Sequence, residues 1–231
     1  MSKAADNERF VMVFQQAHGL TADGWAGEKT FGALTADVAE PATAYTPGTI
    51  TERMALELIG HEAIVPEWYL DSKRVGTWGI GVTNASGHNV DRYKDKPQTI
   101  ARCIEIFLWL CRTKYGPEVL TAFAGHTLSE AQYGAALSFH YNTGAIKTAS
   151  WVKSFKAGDL EKARAEIMNW RSPAEIIPRR EKERDLFFDG KWSGEGKATV
   201  YDVSKPSYSP RWSSARKVDI RADIALALGA A

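Results

Sequence analysis

Glu62, Asp71 and Thr77 lie nine and six residues apart in the stretch LIGHEAIVPEWYLDSKRVGTWGIGVT, residues 58–83. Two carboxyls and a hydroxyl suffice for acid–base hydrolysis. One carboxyl gives a proton to a leaving oxygen; the other, with the hydroxyl, holds and activates one water. Among hydrolytic reactions, that division of labour suits cleavage of a glycosidic bond. His140 is a less useful group: no Cys, His or Asp accompanies it at ligand spacing, and it is assigned no role.

These groups need elements to position them. Met54, Ala55, Leu58 and Ile59 share one face of a 3.6-residue period, and Glu62, four residues past Leu58, continues that face. Thr49 with Glu52 fits a capping box for this helix, and Thr51 is the alternative cap. Pro66 is expected to end it. A carboxyl at the C-terminal end of a helix, against apolar neighbours, has the setting a general acid requires. The plainer alternative is a surface glutamate at a frayed helix end. From Tyr69 to Gly81, aromatic and β-branched residues alternate with glycine, and Asp71-Ser72-Lys73 forms a turn. This predicts a small hairpin with Asp71 near a strand end and Thr77 on the next strand.

Glu62, Val65-Pro66, Tyr69, Asp71 and Gly76-Thr77-Trp78-Gly79-Ile80-Gly81 resemble the Glu–Asp–Thr signature of the phage-type lysozymes, glycoside hydrolase family 24. The resemblance implies that Glu62 is the proton donor and that Asp71 and Thr77 position the water. It also implies an inverting reaction, with the carboxyls roughly 6.5–9.5 Å apart. Members often carry His where this chain has Val82, a change expected to affect local packing. Tyr69, Trp78 and Asn142 are the candidate substrate contacts; Asn142 lies in LSFHYNTG, which resembles the family's cleft-lining Phe-Asn-x-Gly stretch, and a purely structural helix cap is its alternative role. The implied fold is α+β, mostly α: a lysozyme-like two-lobed domain with a small β-hairpin sheet and a helical lobe. The long helix joining the lobes is expected over Gln98–Tyr115. Thr127 with Glu130 is expected to open a helix through His140, closed by Asn142-Thr143-Gly144. Further helices are expected over Ala145–Ala157, Asp159–Trp170 and Arg179–Phe188, the last with arginines paired to core-edge carboxylates.

The rest of the chain sets bounds. Residues 8–38 resemble the second half of a three-helix peptidoglycan-binding domain through Phe14-Gln15, Gly19-Leu20, Asp23-Gly24, Gly27, Thr30 and Leu34, with the first helical repeat missing. Trp25 is the residue placed to meet a sugar or peptide face. The expected division is a small helical segment over 1–40, a linker over 41–48, the catalytic domain over 49–190 and a basic tail over 191–231. That tail is read as irregular over 189–217 and as a short amphipathic helix over Asp219–Leu228, which docks on the domain or acts on lipid. The overall charge of +1 gives no nucleic-acid footprint. It is uneven, however, with −3 over residues 1–50 and +4 over 191–221. Cys103 and Cys111, about 12 Å apart on one helix, cannot bridge and read as buried thiols. MSKAADNERF has no apolar signal core, and no run of 18 apolar residues exists.

The reading is thus a muramidase of the endolysin kind, cleaving the β-1,4 bond between N-acetylmuramic acid and N-acetylglucosamine. It needs no metal or cofactor and acts as a monomer on peptidoglycan, without nucleic acid or membrane insertion. Such an enzyme is made in the host cytoplasm and reaches the wall after holin-type release. The alternatives are a lytic transglycosylase, a non-catalytic wall-binding or virion protein, and a toxin that borrows this domain.

Overall fold

Thr51, rather than Thr49, starts the helix that leads to Glu62: its hydroxyl accepts the Met54 N–H at 3.2 Å. The computed structural model describes residues 3–17, 19–30 and 45–229, and its contacts divide the chain into two units, Met1–Tyr45 and Thr46–Ala231. The division falls inside the expected linker. Residues 41–44 of that linker, Leu34 and the second helix expected from Gly27 to Leu34 beyond Thr30 lie outside the described residues.

In the first unit, helix α1 (Lys3–Ala17) is followed by turns that Gln15 holds together. Its buried amide accepts the Gly24 N–H at 3.0 Å and donates to Asp23 at 2.8 Å and to Thr30 at 3.0 Å. Asp23 in turn accepts the Trp25 N–H at 2.9 Å, an Asx turn that needs the left-handed Gly24, φ +73°. Trp25 is left 76% exposed.

In the second unit, α2 (Glu52–Gly60) leads into strand β1 (Ala63–Leu70), followed by β2 (Gly76–Gly79) and β3 (Val82–Thr83). The helix therefore stops at Gly60, and Pro66 lies inside a strand rather than terminating the helix. The strand tolerates it at an irregularity: the β1–β2 register shifts between Val65 and Tyr69. Val82 is buried opposite Trp78, so the position where the family often has His is a packed one here.

Helix α3 (Ile100–Leu110) is capped by Thr99, continues through a π-helical turn at Cys111–Tyr115 and ends as α4 (Gly116–Ala122). This is the expected long helix, extended by two turns. Helix α5 (Glu130–Thr143) opens on Ser129, which forms the capping box with Gln132; the expected Thr127–Glu130 pair does not. Gly144 closes it in the left-handed region, as its type allows. Helices α6 (Ser150–Lys156), α7 (Leu160–Ile167, capped by Asp159) and α8 (Ile177–Asp189) complete the helical lobe around Phe107, Phe123, Phe139, Trp151 and Phe187.

The tail is not irregular. Lys197–Ser204 and Ser209–Asp219 form strands β4 and β5, and β4 pairs in parallel with β1 through Ala63↔Thr199 and Ile64↔Val200. The described sheet has the order β3-β2-β1-β4-β5, and the whole helical lobe is the crossover between β1 and β4. Ala198 and Val200 are buried, and helix α9 (Arg221–Gly229) packs on α2 and α3 beneath buried Ile220 and Ile224. Much of the tail's basic charge is paired: Arg211 and Arg216 both bind Asp202, and Lys205 binds Asp95.

Candidate active site

The turn after β1 exists because Asp71 makes it. Its Oδ1 accepts the N–H groups of Lys73 and Val75, each at 2.8 Å, and its own N–H donates to Val75 O at 3.1 Å. Oδ1 is thereby committed to the backbone, and Oδ2 has no hydrogen bond or ion pair among the described residues. Thr77 is buried on β2, directly opposite Tyr69, so the two side chains share one face of the hairpin. The Thr77 hydroxyl donates to Val75 O at 3.0 Å. Its proton is spent, and its lone pairs remain as acceptors.

Glu62 lies in the connection between α2 and β1, its N–H bonded to Ile59 O at 3.1 Å. Tyr69 feels both acids: burial first, then the charges of Glu62 and Asp71, push its phenol above the ordinary range. Tyr141 and Cys111 are also pushed up by burial first and then by Glu62. Gly81, at φ +67°, leaves space in front of the acid: a Cβ there would stand 4.0 Å from Glu62 Oε2 and 4.0 Å from the Tyr141 hydroxyl. That hydroxyl donates to Ile80 O and fixes the loop.

Glu62 does not sit in the apolar setting its helix face implied. Its side chain is 20% exposed and forms an ion pair with Arg179 Nη1. Arg179 also donates from Nε to Glu183 Oε1 at 2.9 Å and from Nη2 to Ser138 O at 3.1 Å. The arginines of α8 do pair with carboxylates, and one of those carboxylates is the candidate acid itself. Arg179, Tyr141 and Gly81 are thus site residues that the sequence reading did not assign. The arginine-rich helix pointed to Arg179 but gave no partner.

The three candidate substrate contacts divide. Tyr69 is at the site. Trp78 is not: it is fully buried, stacked on Tyr93 at 4.1 Å, and its indole N–H donates to Pro66 O at 3.0 Å, so it supports β2 from inside. Asn142 lies in the last turn of α5, where its Oδ1 accepts from Arg180 at 2.8 Å. His140 is buried against Glu118 at 3.0 Å, away from these groups. Among the described residues, no His, Cys, Asp or Glu cluster could hold a metal ion.

Comparison with known proteins gives the family and the fold. An endolysin of Bacillus phage B103 is 33% identical over 89 residues. That alignment covers 36% of this chain and 32% of the relative, so the chain spans about a third of that protein's length. An endolysin from the Escherichia coli O157:H7 phage FAHEc1 superposes with a TM-score of 0.54 at 17% identity, covering 63% of this chain and 96% of the other. A P22 lysozyme mutant gives 0.51 at 21% identity, covering 60% and 97%. Both show the lysozyme-like fold. Residues 60–183, more than half of the sequence, match the phage lysozyme family, and the chain belongs to that family.

Proposed function

We propose that the chain is a peptidoglycan hydrolase, a muramidase that cleaves the β-1,4 bond between N-acetylmuramic acid and N-acetylglucosamine. Glu62 donates its proton to the glycosidic oxygen from Oε2 as the C–O bond breaks, and Arg179, already bonded to Oε1, stabilises the carboxylate left behind. A water between Asp71 and Thr77 donates one hydrogen to Asp71 Oδ2 and the other to Thr77 Oγ1. Its lone pair faces the anomeric carbon. As the new C–O bond forms, Asp71 takes the water's proton, and the anomeric configuration inverts.

The observation that carries this reading is the commitment of Asp71 Oδ1 and the Thr77 proton to the turn, which leaves two acceptors for one water. Membership of the phage lysozyme family supports it. The name of the B103 relative, an endolysin, supports a role in lysis. Holin-type release to the wall is part of the same proposal. The first unit, with Trp25 beside a recess of about 560 Å³, is proposed as a wall contact. A monomer suffices for this chemistry.

Glu62→Gln should lower wall clearing by about 10²- to 10⁴-fold while sedimentation with wall is kept. Clearing at the wild-type rate would end the assignment. Products one water lighter by mass spectrometry would replace hydrolysis with a lytic transglycosylase.

A further inference from the structure

The tail grips strand β1 at both ends. Ala63 and Ile64, which follow Glu62, pair in parallel with Thr199 and Val200 of β4. Leu70, which precedes Asp71, donates its N–H to Tyr208 O at 2.7 Å, at the tip of the β4–β5 hairpin. Between these ends, the Val203 N–H donates to Glu67 Oε1 at 3.3 Å. We propose that the β4–β5 hairpin is a splint that sets the separation of the Glu62 and Asp71 carboxyls, with Tyr208 as its positioning residue. The proposal rests on the hydrolase reading above, and its residues lie beyond the family match, which ends at residue 183.

Pairing with β2 alone does not fix that separation. The β1–β2 register shifts between Val65 and Tyr69, and a strand bends where its register shifts. Glu62 and Asp71 stand on either side of the shift, and the hairpin bonds to β1 on both sides of it. Precision matters here: a misplacement of about 1 Å can cost up to about 10²-fold in rate. The tip is built to hold its place. Tyr208 has φ +55°, a conformation that a side chain other than glycine rarely adopts, so the surrounding contacts must keep it there. Its phenol donates to Asp95 at 3.0 Å, Lys205 pairs with the same carboxylate, and its ring meets Trp68 edge-on at 5.4 Å. The Lys94 ammonium lies 5.0 Å from the Trp68 ring centre and 4.9 Å from that of Tyr208. Trp68 in turn covers Gly76 so closely that a Cβ there would stand 2.8 Å from its ring. Gly76 pairs with Leu70. The tip therefore holds both residues at the base of the turn, and their neighbours in sequence are Asp71 and Thr77.

The test reads kcat and KM on purified wall by release of reducing ends. Tyr208→Gly keeps the left-handed turn and its carbonyl but removes the ring and phenol that anchor them. It should lower kcat about tenfold at unchanged KM. Tyr208→Phe, which keeps the ring against Trp68, should recover most of that loss. Ser129→Ala, which removes a helix cap in the helical lobe, should lower the melting temperature without the loss in kcat. In an Asp71→Asn background, Tyr208→Gly should cost no more than about twofold, because the placement of that carboxylate no longer counts. Should Tyr208→Gly fail to fold, Asp95→Asn decides: Asp95 is exposed at φ +58°, which Asn tolerates, and losing its pair with Lys205 should lower kcat about threefold. Wild-type kcat in folded Tyr208→Gly or in Asp95→Asn, an equal kcat loss in Ser129→Ala, or an undiminished loss in the Asp71→Asn background would overturn the splint. A wild-type enzyme that releases no reducing ends would overturn the hydrolase reading and the splint with it.

Discussion

A threonine whose hydroxyl proton is already bound is a different tool from a free one. Thr77 donates to Val75 O and can therefore only accept from a water. Thr77→Ser should keep most of the activity, and Thr77→Val, which removes the acceptor at nearly constant shape, should lose about tenfold or more in kcat, read by release of reducing ends. The same scale holds a stability device remote from the chemistry. Burial would raise the Glu57 carboxyl, but contacts with His61 at 3.1 Å and with Ser193 and Gly194 hold it at about 2. Its ionised form therefore favours folding. The contribution, about 3 kcal/mol, is present above pH 4.5 and is lost as pH falls to about 2. Glu57→Gln should lower the melting temperature at neutral pH, and the gap from wild type should close on acidification; a gap that persisted at pH 2 would contradict this linkage. Cys103 and Cys111 are buried, and burial pushes the Cys103 thiol up to about 12. Neither should react with a thiol reagent until the protein unfolds.

At the scale of elements, the capping box at Ser129 starts α5, the helix that carries Ser138, Asn142 and Tyr141 to the site. Ser129→Ala should cost about 1 kcal/mol in denaturant unfolding, with little change in kcat. The β4–β5 hairpin and the helix α9 that follows it matter more. Val200, Ile220 and Ile224 are fully buried, and each such side chain contributes roughly 1.5–3 kcal/mol. Together they rival a domain's net stability of about 5–15 kcal/mol. A chain cut after residue 190, the boundary expected from composition, should fail to give a cooperative thermal transition, whereas Ser213→Ala on exposed β5 should melt as wild type does.

For the molecule as a whole, the family match ends at residue 183, yet the sheet that carries the site is completed by residues beyond it. The tail is thus part of the second unit's fold, not an appendage. The signal for it was present: Thr199-Val200-Tyr201-Asp202-Val203 is a β-forming run followed by Lys205-Pro206-Ser207. The Gly, Ser and Lys around it pointed toward an irregular reading, and nothing local reveals that its partner is β1, more than 130 residues away.

The chain's order alone determined what depends on neighbours a few residues apart: the helix face before Glu62, the Asp71 turn, the Thr77 strand, the left-handed stop at Gly144 and the family signature. Only the tertiary structure decided which groups meet across the lobes. It gave Glu62 an arginine from α8, turned Trp78 inward, and placed Lys73 opposite Asn142. The reason is physical: turn and helix preferences are set by local sterics and hydrogen bonds, while pairing and burial are set by how separate elements pack, and spacing along the chain carries no record of that.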